Sequence, residues 1–230
     1  MVQENLNILE ERIFNKCNSC GRDRSEITLI AVSKTQPVSL IEEAFDYGVH
    51  DFGENKAQEF KEKSLTVNKQ INWHFIGHLQ TNKVKYVIDS AKLIHSVDSF
   101  KLAQEIEKRA KKINKIQEVL LEVNTSGEES KMGIEQFDNV LELAYYCKQS
   151  ESLKLNGLMT MAPYTDDEKI VRACFIGLRN VKDKLNDNGF ELQDLSMGMT
   201  NDFEIAIEEG STILRIGSAI FGERNYINLN

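Results

Sequence analysis

Eight short β-like runs separated by stretches of helical spacing predict an α/β chain. Its parallel sheet closes into a single (β/α)8 TIM barrel, with an extra helix in front. Three observations carry this prediction. The runs fall at residues 27–33, 49–53, 72–76, 93–97, 117–123, 153–160, 192–197 and 212–216, and eight is the number at which such a sheet closes on itself. The segments between them carry apolar residues three and four apart, as helices packed on a sheet do. No G-x-G-x-x-G follows the first run, which weighs against the alternative of an open doubly wound sheet. With two prolines and no Gly/Ser-rich stretch, nothing marks an internal boundary, so residues 1–230 read as one domain.

Taken in order, the leading helix buries Leu6, Leu9, Ile13 and Cys17. The first run, ITLIAVS, is apolar enough to be covered on both faces. Gly48 and Gly210 stand where helix C-terminal glycines belong, just ahead of the second and eighth runs. Trp73 and Phe75 in the third run read as packing residues. Residues 99–113 place Leu102, Ala103, Ile106, Ala110 and Ile113 on one helical face, and the charged EIEKRAKKINK is its solvent side. Residues 167–185 do the same with Ile170, Cys174, Leu178, Val181 and Leu185.

Composition narrows the function. The chain is 41% hydrophobic and 28% charged, with a net charge of −8, which suits a soluble globular protein. No basic run is interleaved with aromatics, so nucleic acid is not an expected partner. The N-terminus has no apolar secretory core, and no stretch approaches the roughly 18 apolar residues of a membrane span. A cytoplasmic monomer is expected. Cys17 and Cys20 form a C-x-x-C, but Cys147 and Cys174 supply no matching pair, so all four read as structural thiols. His74 and His78 are four apart, yet they lie where a strand runs into a loop, so no metal site is expected.

In a barrel, chemistry gathers at the C-terminal ends of the strands. Those ends carry Lys34, then Gly53-Glu54-Asn55, GHLQTNK, Asp98, NTSGEESKMG, MTMAPY, SMGMTND and RIGSAIFGER. The last two each run from a strand through a glycine and a small hydroxyl residue into a helical pattern. Backbone N–H groups there, assisted by a helix dipole, suit an anion, and barrels often hold phosphate after strands 7 and 8. Thr200 is expected to cap one helix, while Gly217 and Ser218 let the backbone approach the anion. Lys34, partly desolvated above its strand, can present a neutral amine to a phosphorylated carbonyl compound. Two chemistries fit: a Schiff-base aldolase acting on a sugar phosphate, or a holder of pyridoxal 5′-phosphate. Arg215, directly before the phosphate-loop glycine, favours the second. It would face the ring nitrogen, keep it unprotonated and weaken the ring as an electron sink; a salt bridge inside the barrel is its plain alternative. Lys131, in the loop after the fifth run, reads as a solvated lysine.

The stretches AVSKTQP, FGENKAQEF, WHFIGHLQTNK, GLMTMAP and LSMGMTNDFEIAIEEGSTILRIGSAIFGER, in this order from about residue 27 to residue 224, closely resemble the YggS/PROSC family of pyridoxal phosphate homeostasis proteins. The resemblance implies a barrel like that of bacterial alanine racemase, without that enzyme's β-rich domain. It also implies that Lys34 forms the Schiff base, with Asn55 beside the cofactor. The backbone around Met199 and Thr200, with Gly217 and Ser218, would take the phosphate, and Arg215 would face the pyridine nitrogen. Thr200 stands where serine is usual and Ser218 where threonine is usual, which keeps both hydroxyls. Gln36 replaces a lysine that many members carry. The implied role is to hold or deliver pyridoxal phosphate, with other B6 vitamers and cofactor-requiring apo-enzymes as further partners, and no turnover. The enzymatic alternative, a weak amino-acid racemase, needs a second base that a separate domain ordinarily supplies. The chain ends at Asn230, soon after the eighth run, so only His78 or Tyr164 offers itself.

Overall fold

The structure, a computed structural model, describes residues 1–128 and 132–222. Eight strands form a closed barrel in sequence order: β1 (Thr28–Val32), β2 (Asp51–Glu54), β3 (Asn72–Phe75), β4 (Ala91–Val97), β5 (Gln117–Glu122), β6 (Leu153–Met159), β7 (Asp194–Ser196) and β8 (Ile213–Ile216). Every neighbouring pair is parallel, and β1 closes on β8 with Thr28 opposite Ile213. Outside lie α1 (Val2–Ser19), α2 (Val38–Asp46), α3 (Ala57–Thr66), α4 (Phe100–Lys112), α5 (Phe137–Gln149), α6 (Glu168–Asp187), α7 (Phe203–Glu208) and α8 (Ser218–Phe221). The expected barrel with its leading helix is therefore present. One connection departs from the pattern: β3 passes to β4 through a 3-10 segment, Thr81–Tyr86, and not an α-helix.

Two strand starts are later than the sequence suggests, each for a local reason. Gly48 ends α2 at φ 93°, and Val49 N–H closes that helix end on Ala44 O at 3.2 Å, so Val49 belongs to the cap. Leu192 is held by the Asn186 side chain through both its N–H (2.8 Å) and its C=O (3.1 Å), so it joins no ladder. The α6 stripe is also turned by one residue. Val171, Cys174, Phe175, Leu178 and Leu185 are buried, whereas Ile170 is 47% exposed, as is Ile113 (44%) beyond α4.

Strand alternation divides the side chains between two cores. The larger lies between sheet and helices and takes Leu29, Ala31, Phe52, Trp73 and Phe75, with Phe60 of α3 edge-on to Trp73 and Phe75. The smaller fills the barrel with Ile30, Leu93, Leu120, Met159 and Ile213, and Met161 packs against it. Because facing alternates, the residues two steps further on the same strands point into the barrel mouth. This places Val32 above Ile30 and Arg215 above Ile213, while Lys34 reaches the same mouth from the turn after β1. Among the described residues no helix is long and apolar enough to cross a membrane, and no cluster of His, Cys, Asp or Glu could hold a metal. None of the four cysteines forms a disulfide among the described residues.

Candidate functional site

A cavity of about 740 Å³ opens at the C-terminal mouth of the barrel, and Lys34, Asn55, Met199, Thr200, Arg215, Gly217 and Ser218 all line it. These residues come from the ends of β1, β2, β7 and β8. Lys34 is half-buried on the second residue after β1. Asn55 follows β2, and its position depends on Gly77 after β3, because a Cβ on Gly77 would collide with the Asn55 backbone. The Asn55 Oδ1 atom is buried without a hydrogen-bond partner among the described residues, an acceptor left for something in the cavity.

The loops after β7 and β8 meet through their hydroxyls, Ser218 Oγ donating to Thr200 Oγ1 at 3.1 Å. Gly198 makes the first loop possible: its φ is +96°, and a Cβ there would lie 2.7 Å from Ala206 Cβ. Gly217 is different. Its φ is −116° and a Cβ would rest on Val32 O at 3.4 Å, so the backbone itself does not demand glycine. Among the described residues the N–H groups of Thr200 and Gly217 donate to no backbone carbonyl. Met199 N–H does have a partner, Asp202 Oδ1, at 2.5 Å. Asp202, and not Thr200, is the N-cap of α7, which corrects the expected capping role of Thr200. With six and four residues, α7 and α8 are also too short to bring a substantial dipole. The donors here are turn amides.

Arg215 is 4% exposed and makes no salt bridge among the described residues. Its Nη1 donates to Ser196 Oγ at 2.6 Å and its Nη2 to Thr160 O at 2.9 Å. Burial holds its pKa down at about 10, with Asp202 and Glu122 pulling the other way, so the side chain is still a cation at neutral pH. From Ser196 a polar chain continues through the barrel interior. Ser196 Oγ meets His95 Nδ1 at 2.9 Å, His95 Nε2 meets His74 Nδ1 at 3.0 Å, and His74 Nε2 meets Asp51 Oδ1 at 2.8 Å. Burial pushes both imidazole pKa values down, that of His95 well below its ordinary value. Near this chain Glu122 is 3% exposed, with its Oε2 lacking a partner among the described residues. Burial and the neighbouring Asp98 push its pKa up to about 7, against the pull of Arg215.

The sequence reading singled out neither His95 nor Glu122, and Ser196 stood only as the first residue of the strand-end stretch SMGMTND. Glu122 carried a signal, a carboxylate two residues beyond Leu120 on the inward side of a core strand. His74 is the partner of His95 and not of His78. His78 lies 3.6 Å from Asp98 and lines a second, smaller cavity beside α4. Tyr164 does line the main cavity, at its rim, and is 97% exposed. Lys131 lies outside the described residues.

Known proteins resemble this chain over nearly its whole length. The family described as alanine racemase, N-terminal domain, matches residues 15–225. A pyridoxal phosphate homeostasis protein of Aquifex aeolicus is 46% identical over 225 residues, spanning 97% of this chain and 98% of its own. That of Escherichia coli is 37% identical over 237 residues, spanning 98% and 97%. The structure of PipY from Synechococcus elongatus with pyridoxal phosphate bound has a TM-score of 0.85 at 30% identity, over 96% of this chain and 100% of PipY. An alanine racemase of Clostridium difficile shares the fold alone, with a TM-score of 0.80 at 17% identity over 98% of this chain and 57% of the enzyme. Matched end to end at these identities, with its strand-end residues gathered on one cavity, the chain belongs to the pyridoxal phosphate homeostasis protein family.

Proposed function

We propose that this chain binds pyridoxal 5′-phosphate in the mouth cavity, as a Schiff base on Lys34, and works in the cytoplasm as a monomeric cofactor-homeostasis protein without turnover of its own. The observation that carries this reading is the convergence of an amine, a buried cation and a hydroxyl-bearing pair of turns on one cavity. The residues fit the group. The Lys34 amine would add to the aldehyde carbon and water would leave, so the link needs no redox partner. Thr200 and Ser218 would offer hydroxyls to the phosphate, and the N–H groups of Thr200 and Gly217 would offer turn donors. Met199 would contribute its N–H only after releasing Asp202. The Asn55 Oδ1, without a partner among the described residues, would accept from a polar group of the cofactor.

Arg215 would donate to the ring nitrogen and cannot accept from it. Pyridoxal phosphate supplies an electron-withdrawing ring when bound, and facing an obligate donor leaves its nitrogen unprotonated, the weaker state of that sink. This supports holding over carbanion chemistry. The racemase alternative needs a base on the free face, and Tyr164, fully exposed at the rim, is not held in place as one. Recipient apo-enzymes and other B6 vitamers remain within this reading as the partners a holder would serve.

The test is to titrate the purified chain with pyridoxal phosphate and then offer the loaded protein a panel of chiral amino acids. One equivalent of cofactor retained, with no change in optical rotation over hours, is expected. Steady racemisation abolished by Tyr164→Phe would replace this reading with the enzymatic one.

A further inference from the structure

Lys34 sits in an unusual turn. Residues 33–36 form a tight turn closed by Gln36 N–H on Ser33 O at 3.0 Å. Thr35, its third residue, has φ +65°. That position suits glycine or asparagine, and a β-branched residue there is strained. Such a turn persists only where its surroundings over-determine it.

They do so here from behind the strand. Lys63 of α3, 6% exposed, donates to Ser33 O (2.7 Å), Glu54 Oε1 (2.8 Å) and Glu59 Oε1 (2.7 Å). Ser33 Oγ donates to the same Glu54 oxygen at 2.7 Å. Glu59 Oε1 in turn accepts the N–H of Thr35 at 2.5 Å. The residues before and after Lys34 are thus both tied to one buried ammonium and its two carboxylates. None of these three side chains lines the mouth cavity, whereas Lys34 does.

We propose that Lys63, Glu54 and Glu59 form a clamp that positions Lys34, holding its turn in the strained conformation that aims the amine into the cavity. The cluster acts through the backbone of Ser33 and Thr35 and touches no ligand, so its members are positioning residues. The proposal rests on Lys34 being the cofactor's anchor. It explains why a helix outside the barrel spends a buried charge at this point: a preset amine attacks without first paying to order its turn.

Because Lys63→Met would leave Glu54 buried without its cation, the primary variant is Glu59→Ala, which frees Thr35 N–H and leaves the Lys63–Glu54 pair. Three readouts are needed. Amide hydrogen exchange of Thr35 in the unloaded chain should accelerate. The rate of imine formation with pyridoxal phosphate should fall at least about tenfold. Affinity for pyridoxamine phosphate, which shares the phosphate and ring but forms no imine, should change less than about twofold. Adding Thr35→Gly to Glu59→Ala should restore most of the rate, since glycine adopts the left-handed conformation without a clamp. An unchanged rate in Glu59→Ala, a parallel loss of pyridoxamine phosphate affinity, or no recovery in the double variant would overturn the clamp alone. An imine mapped to another lysine in the unaltered chain would overturn the reading of the site and the clamp with it.

Discussion

Arg215 Nη1 donates to Ser196 Oγ at 2.6 Å, and that bond joins the buried guanidinium to a polar chain running through the barrel interior to Asp51. A guanidinium only donates, so the hydroxyl keeps its own proton available for His95 Nδ1. His95 then carries its proton on Nε2 and donates to His74 Nδ1. His74 donates from Nε2 to Asp51, a carboxylate whose pKa the histidine and Lys92 hold down against its burial. The Asp51 carboxylate only accepts, so with both rings neutral it fixes this direction, and only one tautomer of each ring satisfies it. Nitrogen NMR should show Nε2–H and a bare Nδ1 for both histidines. Ser196→Ala should leave a buried guanidinium N–H and a bare imidazole nitrogen unpartnered, lowering stability by about 1–3 kcal/mol in urea unfolding. A variant as stable as the parent would show that the chain is not needed to hold Arg215.

Glu122 predicts a pH dependence of definite sign. Its pKa is raised from 4.5 to about 7 in the folded chain, so the folded state binds the proton more tightly than the unfolded one. Its contribution to stability is complete below about pH 4.5 and is lost as pH rises through about 7, a difference of order 3 kcal/mol at most. Glu122→Gln should therefore unfold at nearly the parent's temperature at pH 4.5 and several degrees higher at pH 8. The buried histidines act in the opposite sense below about pH 6.5, so the difference between the two proteins is the quantity to follow. An equal gap at both pH values would place Glu122 in an ordinary ionised state.

Gly198 and Gly217 should respond unequally to alanine. At Gly198 both the positive φ and the 2.7 Å approach to Ala206 oppose a methyl group, and a loss of about 2 kcal/mol or more is expected. At Gly217 neither applies, and thermal unfolding should shift by less than about 2 °C. If Gly217→Ala were the more damaging, the loop after β8 would carry strain that the backbone angles do not reveal.

The barrel was legible because apolar runs and helical spacing are local, and each strand announces itself within a few residues. Lys34, Asn55 and Arg215 were legible because strand ends in a barrel share one mouth. The errors were of two kinds. Val49 and Leu192 look like strand residues but are claimed by a helix cap and an Asn186 side chain, neither visible in an apolar pattern. His95 and Ser196 meet only when β4 and β7, a hundred residues apart, face each other across the interior, a distance no spacing rule reaches. Lys63 and Glu59 do stand four apart on one helix, but nothing in the sequence distinguishes that buried pair from a solvated one.

The central claim is that Lys34 is the covalent anchor, and one measurement addresses it directly. The chain is loaded with pyridoxal phosphate, its visible spectrum recorded, and the sample reduced with borohydride, digested and mapped by mass spectrometry. The account predicts an imine band that disappears on reduction, with the pyridoxyl group on the peptide containing Lys34 and absent from Lys34→Ala. A band that persists in Lys34→Ala, or label scattered over several lysines, would contradict it.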